Sequence, residues 1–471
     1  MHGTRSTRKP DNGADDGAIR VNTRAADAVR LRQILSLRPD DRVAWHNLAA
    51  AEGDLGRAAE AEAAARRAIA LGIKAPETYL VLARALQSLR KLDEADSMFK
   101  KAIALRPAYA DAHRDLAQLT WMRTGRAQDA LKKLARALRE SPTDGALHLV
   151  HSGVLEFTGD MAGALAAAER GLAHAPNDLS LLRQAAHLIA ETGNAARALS
   201  IAMRAVQLAP TDTGAQLSVC ESLLAAGRAV EGEAKAAALC SSSPNDQYAL
   251  ALRATAWRLM GDPRYSVLHD YRSLVSEQEL DTPTGFANRD AFLNALSAEL
   301  QSLHSFQTHP LNQSVRGGSQ LPIQLAELAR PLIALLFGAI QTAIDRYISR
   351  LGAGNDALRA RNTGRAALTG AWSVRLHSGG HHADHVHPHG WLSSACYIAL
   401  PPSIGDGQAG RAGWLRFGRP AVRTQPALDA DHFVQPRRGL LVLFPAYMWH
   451  GVEPFDSDQP RLSVAFDVIP A

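Results

Sequence analysis

The sequence contains few cysteines and little net charge. Over 471 residues there are three cysteines and no C-x-x-C pair, which excludes a disulfide framework and argues against a thiolate zinc site. The formal net charge is +5, because 52 Lys and Arg residues are balanced by 47 Asp and Glu residues. Basic and acidic side chains are interspersed, so no nucleic-acid-binding surface is indicated. These absences favour a protein of a reducing compartment that binds no nucleic acid.

Long apolar runs are also missing. Residues 1–27 are mostly polar and rich in Arg, Asp and Gly, so we expect a disordered tail and no signal peptide. The most apolar later stretch, residues 332–340, is too short and too interrupted to span a bilayer. We therefore expect a cytoplasmic protein that contacts no membrane. Its length exceeds what one hydrophobic core accommodates, which predicts more than one domain.

A regular spacing of prolines and small residues runs through the first half of the chain. Prolines recur 34 or 35 residues apart, at Pro107, Pro142, Pro176, Pro210 and Pro244. Two sets of small residues keep the same interval: Ala61, Ala95, Ala130, Ala164 and Ala198, and Ala68, Ala102, Ala137, Gly171 and Ala205. Small residues let two helices approach closely, and a proline cannot continue a helix. The period predicts pairs of helices stacked into a solenoid.

A 34-residue period with two helical segments per unit resembles the tetratricopeptide repeat. The unit at about residues 76–107 carries the family's positions, at Tyr79, Leu82, Ala83, Ala95, Phe99, Ala102 and Pro107. About six units fit between residues 28 and 261. The resemblance implies a concave face that binds a partner protein, or a protein or peptide substrate. A spacer or an oligomerisation surface is the alternative.

Residues 262–371 lose the repeat period, and we expect them to connect the array to the next domain and support it. The spacing of apolar residues predicts helices over about 289–305 and 321–351. Between them, residues 309–320 are interpreted as a polar loop in which Gly317 and Gly318 follow Arg316. Arg316 is a candidate for placing a cation near a backbone or an anionic ligand. The alternative is an ordered structural loop.

Histidines are concentrated near the C-terminal end, where six of the eighteen lie between residues 377 and 389. Short apolar runs separated by Gly and Pro follow, which predicts an antiparallel sandwich or barrel. His385 and His387 are two residues apart, so on a strand they point to the same face and can chelate one ion. His450 follows another strand and can complete the ligand set, leaving positions open for oxygen and a cosubstrate. Arg461 opens the next strand, where a guanidinium can pair with a dicarboxylate.

This segment resembles the 2-oxoglutarate- and iron(II)-dependent oxygenases of the prolyl-hydroxylase-like, double-stranded β-helix superfamily. The matching residues are His385-x-His387-Pro388, the strand with Ser393 and Tyr397, residues 439–450, and residues 461–466. Residues 313–320 also resemble a segment that lies just ahead of the domain in one bacterial family. The resemblance implies Fe(2+) and 2-oxoglutarate as cofactor and cosubstrate, with ascorbate as a further candidate.

The resemblance also implies residue roles. His385, His387 and His450 would hold the iron, and Arg461 would hold the cosubstrate carboxylate. Tyr397 is a further candidate for a hydrogen bond to the cosubstrate, with core packing as its alternative. Arg375 precedes His385 by ten residues and is a candidate for lining the pocket, with a surface salt bridge as its alternative.

One departure from the superfamily bears on the ligand set. The superfamily's first pair is His-x-Asp, whereas His387 stands at the carboxylate position here, and three imidazoles leave the site more positive. His382-Ala-Asp384 offers a second register that restores the carboxylate. The His-Pro sequence that follows, and the spacing to Tyr397, favour His385 and His387.

Together these observations predict a multidomain chain. An all-α tetratricopeptide-repeat solenoid is followed by a C-terminal α+β domain whose double-stranded β-helix core, a cupin-like jelly roll, spans residues 372–471. The favoured function is an Fe(II)- and 2-oxoglutarate-dependent hydroxylase whose array binds a partner or a protein or peptide substrate. Two alternatives stay open: a non-catalytic repeat scaffold with a degenerate cupin-like domain, and a three-histidine dioxygenase that does not use 2-oxoglutarate.

Overall fold

The N-terminal half of the protein is an array of helices. The structure, a computed structural model, describes residues 13–404 and 410–471, without the side chains of residues 13–22, 325 and 326. The helices of the array are α1 (Gly13–Leu37), α2 (Arg42–Asp54), α3 (Ala58–Ala70), α4 (Pro76–Ser88), α5 (Leu92–Leu105), α6 (Ala110–Thr124), α7 (Ala127–Glu140), α8 (Gly145–Phe157), α9 (Met161–His174), α10 (Leu179–Glu191), α11 (Ala195–Leu208), α12 (Thr213–Ala225), α13 (Ala229–Ser242) and α14 (Gln247–Met260). Helices α2 to α13 form six successive pairs, and α14 closes the array.

The predicted N-terminal tail differs from the structure. Residues 1–12 lie outside the described residues, whereas residues 13–27 belong to α1. The reason is that α1 has an apolar face, made by Ala28, Leu31 and Leu35, which is buried in the core of the array. A helix that packs on one side of its C-terminal half extends further towards its N-terminus than composition indicates.

A proline and an aspartate set most of the boundaries between repeats, although α4 and α6 begin without a side-chain cap. Pro142 stands two residues beyond the end of α7, and the Asp144 carboxylate accepts a hydrogen bond from the Leu147 N–H of the next helix at 3.0 Å. Such side-chain acceptors satisfy N–H groups that have no partner within the helix. The same cap recurs at Asp41, Asp178, Asp212 and Asp246. The predicted role of the prolines in ending helices is confirmed.

The small residues of the 34-residue period are buried between paired helices. The alanines of the first set, from Ala61 to Ala198, are at most 4% exposed. Gly171 shows why size matters: a Cβ there would lie 2.9 Å from the Cβ of His148 and from both methyl groups of Leu181. The helices are therefore too close for larger side chains, as the sequence predicted.

The connector contributes two strands to the C-terminal sheet. Its elements are helices α15 (Arg264–Leu268), α16 (Tyr271–Leu274), α17 (Arg289–Leu303), α18 (Leu325–Leu328) and α19 (Pro331–Leu351), strands β1 (Ser276–Glu279) and β2 (Val315–Pro322), and a 3-10 turn at Arg359–Arg361. Helix α17 confirms the first predicted helix. The second begins at Pro331 and not near residue 321, and the second half of the predicted loop belongs to β2. Glycine makes this strand possible, because a Cβ on Gly318 would lie 2.3 Å from the Arg375 carbonyl oxygen of the neighbouring strand.

Helix α19 contains the most apolar stretch of the chain. Among the described residues it is the one helix that could cross a membrane by length and composition, so the expectation that this stretch is too short does not hold for the whole helix. One side of α19 is buried in the core, through Ile333, Leu336, Ile340, Ala343, Ile344, Tyr347, Ile348 and Leu351. The Tyr347 hydroxyl donates to the Leu274 carbonyl at 2.8 Å, which fixes the helix against α16.

The C-terminal domain is a curled antiparallel sheet. Its further strands are β3 (Ala366–His385), β4 (Leu392–Ala399), β5 (Leu415–Phe417), β6 (His432–Val434), β7 (Leu440–Pro445), β8 (His450–Val452) and β9 (Arg461–Pro470). The order in the sheet is β1-β7-β4-β9-β3-β8-β5-β6, and β2 pairs with β3. This arrangement is consistent with a double-stranded β-helix, so the predicted fold class is confirmed. Long β3 positions the site, because it pairs with β2, β8 and β9.

Candidate metal centre

Three histidines converge at the end of β3. His385 ends β3 and is paired with His450, the first residue of β8. His387 follows two residues later, and its backbone N–H donates to the Ala446 carbonyl at 3.0 Å. The ring centroids are 4.2 Å apart for His385 and His450, 5.0 Å for His385 and His387, and 5.2 Å for His387 and His450. One ligand atom from each side chain lies within 4.8 Å of the others, close enough for one ion to bind all three.

Hydrogen bonds fix which nitrogen each histidine offers. His385 Nδ1 lies 2.9 Å from the Ala383 carbonyl oxygen, and His450 Nδ1 lies 2.9 Å from the Met448 carbonyl oxygen. A carbonyl only accepts, so both Nδ1 atoms carry the proton and donate it. The Nε2 atoms are then unprotonated, which is the form that binds a metal.

His387 has a carboxylate as its partner. Its Nδ1 lies 2.6 Å from Oδ2 of Asp467 on β9, and a carboxylate behind a histidine makes the imidazole a more basic ligand. Asp467 is 9% exposed, and its Oδ1 has no hydrogen-bond partner among the described residues. The sequence analysis missed Asp467. Strand alternation could have found it, since Arg461, Ser463, Ala465 and Asp467 all line the same cavity.

Burial disfavours the charged form of two of the three histidines, His385 and His450. It lowers the pKa of His385 to about 4, with a smaller contribution from the neighbouring His387. Burial also lowers the pKa of His450 well below its ordinary value, again reinforced by the two other histidines. Neutral imidazoles at physiological pH are ready to bind a cation without first losing a proton.

A buried arginine lies in the same cavity. Arg461 is 1% exposed, and its guanidinium lies over the Tyr397 ring, 5.0 Å from the ring centre. Within the described part of the chain, Nε and Nη1 of Arg461 and the Tyr397 hydroxyl are buried without a hydrogen-bond partner. Such groups are costly to bury unpaired. The two Arg461 nitrogens form a donor set that a carboxylate ligand in the cavity would satisfy.

The cavity around these residues has a volume of about 1440 Å³. Strands β2, β3 and β9 form much of its wall, and the triad and Arg461 line it. The array also lines it, through Leu55, Gly56 and Phe157. The candidate site is therefore shared between the two halves of the molecule, which sequence reasoning did not foresee.

Comparison with known proteins agrees with this geometry. Residues 370–467 match the family model described as "Putative 2OG-Fe(II) oxygenase", and residues 76–109 match the tetratricopeptide-repeat model. The chain carries a 2OG-Fe(II) oxygenase-type domain behind a tetratricopeptide-repeat array. The match itself covers residues 370–467. Because strands β1 and β2 of the connector belong to the same sheet, we use the name oxygenase-type domain for residues 262–471. A search of curated proteins found no match.

Solved structures resemble the array. A tetratricopeptide repeat protein from Parabacteroides merdae is 18% identical, with 42% of this chain and 79% of that chain covered and a TM-score of 0.35. TTC0263 of Thermus thermophilus is 24% identical, with 39% and 99% covered and a TM-score of 0.32. YrrB, described as having an unusual peptide-binding site, is 19% identical, with 39% and 95% covered and a TM-score of 0.26. At these scores no function passes from them to this chain.

The alternative ligand pair is placed differently from the triad. Asp384 accepts from Nε of Arg416 at 2.8 Å and from Nε of Arg419 at 2.7 Å, and Arg416 is 2% exposed. The Asp384 carboxylate therefore forms a buried ion pair. His382 lines the cavity, and its Nδ1 lies 3.0 Å from the Ser314 hydroxyl. Among the described residues, the cluster close enough to share a metal contains neither of them.

Two residues predicted as cosubstrate contacts lie outside the lining of this cavity. Tyr397 is fully buried and does not line the cavity, so it contributes by packing under Arg461. Arg375 is also absent from the lining, although Trp372 and Val374 on the same strand belong to it. Successive residues of a strand point to opposite faces, which places Arg375 behind the wall. There it reinforces burial in lowering the pKa of His304 to about 3.

The last repeat of the array supports both ligand-bearing segments. Trp449, next to His450, donates its indole N–H to the Thr255 hydroxyl at 2.9 Å. The N–H of Gln247 donates to the carbonyl of Pro388, next to His387, at 3.2 Å. Apolar packing joins the same parts, in a cluster made by Cys220, Leu224, Ala236, Ala251, Leu252, Ala256, Val386, Val422 and Trp449. The array thus holds the neighbours of two candidate ligands.

Proposed function

We propose that the oxygenase-type domain is an Fe(II)- and 2-oxoglutarate-dependent hydroxylase. The observation that carries the proposal is one cavity with two complementary donor sets. The Nε2 atoms of His385, His387 and His450 suit a divalent transition metal. The unpaired donors of Arg461 suit a carboxylate. The family match supports the same pairing of iron and 2-oxoglutarate.

The superfamily's carboxylate ligand is missing here, but the carboxylate of Asp467 contacts the candidate ligand His387. Three imidazoles alone would leave the centre more positive than two imidazoles and a carboxylate. Asp467, bonded to His387 at 2.6 Å, supplies negative charge through the ligand it contacts. We infer that His387 and Asp467 together replace the usual aspartate, so the residues present fit the metal.

The roles of the protein groups follow from their positions. When bound, Fe(II) and 2-oxoglutarate supply the oxidation, in which one atom of O₂ enters a substrate C–H bond and the other enters succinate as CO₂ leaves. The three histidines hold the metal, and Arg461 binds and orients the distal carboxylate of the cosubstrate. The buried ring of Tyr397 holds that guanidinium in place and keeps water from it.

The array is proposed to bind the substrate or a partner protein. Three of its residues line the same cavity as the triad, and the family of repeats to which residues 76–109 are matched mediates protein and peptide binding. Ascorbate dependence, a cytoplasmic location, and the absence of membrane and nucleic-acid contacts stay predictions from the sequence.

Anaerobic titration with Fe(II) and 2-oxoglutarate tests the proposal. The full chain is expected to develop a charge-transfer absorption band only when both are present. His450→Ala removes a ligand and should abolish the band. Arg461→Leu should keep metal binding but weaken 2-oxoglutarate binding about a hundredfold, because a buried charge-assisted contact is lost. Arg411→Gln, outside the cavity, is the control and should resemble the parent.

Two outcomes would overturn this function. Fe(II) binding that is indifferent to 2-oxoglutarate would instead support a three-histidine dioxygenase. Absence of metal binding in a folded protein, verified by circular dichroism, would support a non-catalytic scaffold.

A further inference from the structure

Arg316 is a second cation of the cavity, and the local backbone is shaped to present it. It lies on β2 at a β-bulge between Arg316 and Gly318. Gly317 has a φ of 65°, and Gly318 leaves no room for a Cβ beside the Arg375 carbonyl. A bulge turns a side chain away from the regular alternation of a strand. The two glycines therefore allow Arg316 to lie at the wall of the cavity.

Contacts on one side hold the Arg316 guanidinium in place. Its Nη1 donates to the carbonyls of Gln313 at 2.6 Å and Val315 at 2.9 Å. Its central carbon lies 5.3 Å from the ring centre of Phe157, at the end of α8 in the array. These contacts orient the guanidinium but do not neutralise its charge.

No carboxylate of a described residue forms an ion pair with Arg316. Glu156 attracts it without forming an ion pair. The two carboxylate oxygens of Glu156 are already engaged, by Gln184 at 2.6 Å and by His187 at 3.2 Å. A partly buried, oriented cation without a carboxylate partner is a binding site for an anionic group.

The size of the cavity and its second wall indicate what carries that anionic group. Sites for small ligands have volumes of about 300–1,000 Å³, whereas this cavity measures about 1440 Å³. Part of its wall belongs to the array, near Arg316 and Phe157. The sheet partner of Arg316 is His381, four residues before the candidate ligand His385. Their separation is at most about 13 Å, the length of four extended residues, because β3 has an irregularity between His382 and His385. An extended peptide covers that distance in about four residues.

We propose that the cavity binds a peptide segment containing Asp or Glu, whose carboxylate pairs with Arg316. The residue to be hydroxylated lies about four positions away, at the metal centre. That this peptide is a substrate rests on the proposed function, but the binding of the peptide itself requires no iron.

Retention of peptides by the full-length protein tests the proposal. Two pools of capped nine-residue peptides would be used, identical in design except that one position is fixed as Glu in the first and as Gln in the second. We expect the protein to retain the Glu pool about tenfold better, counted by mass spectrometry, because one charge-assisted pair is gained. Arg316→Gln should remove the preference, and Arg316→Lys should restore part of it.

Arg411→Gln is the matched control. Arg411 also lies over a phenylalanine ring, 3.7 Å from the centre of Phe433, but it does not line the cavity. This variant should keep the Glu preference. Equal retention of both pools by the parent protein, or a preference that survives Arg316→Gln, overturns the inference.

The same samples separate this inference from the proposed function. Retention is measured with and without Fe(II), and the charge-transfer titration is run beside it. A Glu preference without any metal binding would refute the hydroxylase and leave the peptide site standing. A normal titration with no Glu preference would refute the peptide site and leave the hydroxylase standing.

Discussion

The array and the oxygenase-type domain are built on different principles. In the array, each small residue of the 34-residue period is buried against a neighbouring helix, so one local pattern is repeated many times. In the oxygenase-type domain, residues far apart in sequence meet once, as when His387 reaches Asp467 eighty positions away. The array therefore distributes its stability over many equivalent contacts, whereas the candidate site of the other domain depends on polar contacts that each occur once.

The largest expected effect concerns the buried ion pair of Asp384. Asp384→Asn leaves the Arg416 guanidinium, which is 2% exposed, with Glu453 at 3.4 Å as its one carboxylate among the described residues, beside the His382 carbonyl at 3.3 Å. We expect unfolding in urea to show a loss of about 3 kcal/mol, because one partner of a buried pair is neutralised. Metal affinity should be retained, since this carboxylate is not a ligand.

The control for Asp384 comes from the array. Glu169→Gln breaks an exposed pair with Arg197, and we expect a change below about 1 kcal/mol. A similar loss in both variants would contradict the difference between the two regions. Loss of metal affinity in folded Asp384→Asn would instead support His382 and Asp384 as the metal ligands.

The second prediction concerns Asp467, whose substitution should lower metal affinity, unlike the substitution of Asp384. Asp467→Asn removes the charge behind His387 and should weaken Co(II) or Fe(II) binding by about 10- to 100-fold, as outer partners of metal ligands do. Calorimetric titration measures this affinity. Asp458→Asn, at an exposed position of the same domain, should leave it unchanged. If Asp467→Asn bound the metal within twofold of the parent affinity, this carboxylate would have no role in the proposed centre.

The third prediction tests how strongly the regions depend on each other. Thr255→Val removes the acceptor of the Trp449 indole and should weaken Co(II) binding by about three- to tenfold, because the segment next to His450 loses a fixed contact. Thr120→Val is the matched control, because both hydroxyls donate to a carbonyl four residues earlier at 2.8 Å. Of these two hydroxyls, Thr255 is the one that accepts a hydrogen bond from the other domain. Equal metal affinity in the two variants would show that the array does not position the site.

The smallest expected effect is a pH dependence within the array. Burial alone would lower the pKa of His187, but its hydrogen bond and attraction to Glu156 raise the pKa to about 9. A raised pKa stabilises the fold fully below about pH 6.5, and this stabilisation is lost as pH rises through 9.

Comparison with His187→Gln measures this dependence. The side chain is 37% exposed, so solvent screening reduces the difference to about 1 kcal/mol between pH 6 and 10. Denaturant unfolding at several pH values would show it. Parallel pH profiles for the two proteins would contradict a charged His187.

The candidate site was predictable where chemistry follows local spacing. His385, His387, His450 and Arg461 were found from their places beside strands, and the structure brings them into one cavity. Asp467 escaped because nothing local pairs it with a histidine. The alternatives for Arg375 stayed open because its strand could be predicted, but not which face of that strand lines the cavity.

The sequence by itself determined the repeat. Small residues act within one helix pair, and prolines and capping aspartates act between adjacent pairs, so their period is enough to fix how neighbouring helices pack. It also determined which residue types could form a metal site. Only the tertiary structure decided that Asp384 pairs with Arg416, that Asp467 pairs with His387, and that the last repeat contacts the segments that carry the candidate ligands. Those contacts depend on strand register and domain docking, which are settled by the packing of the whole chain and not by any local pattern.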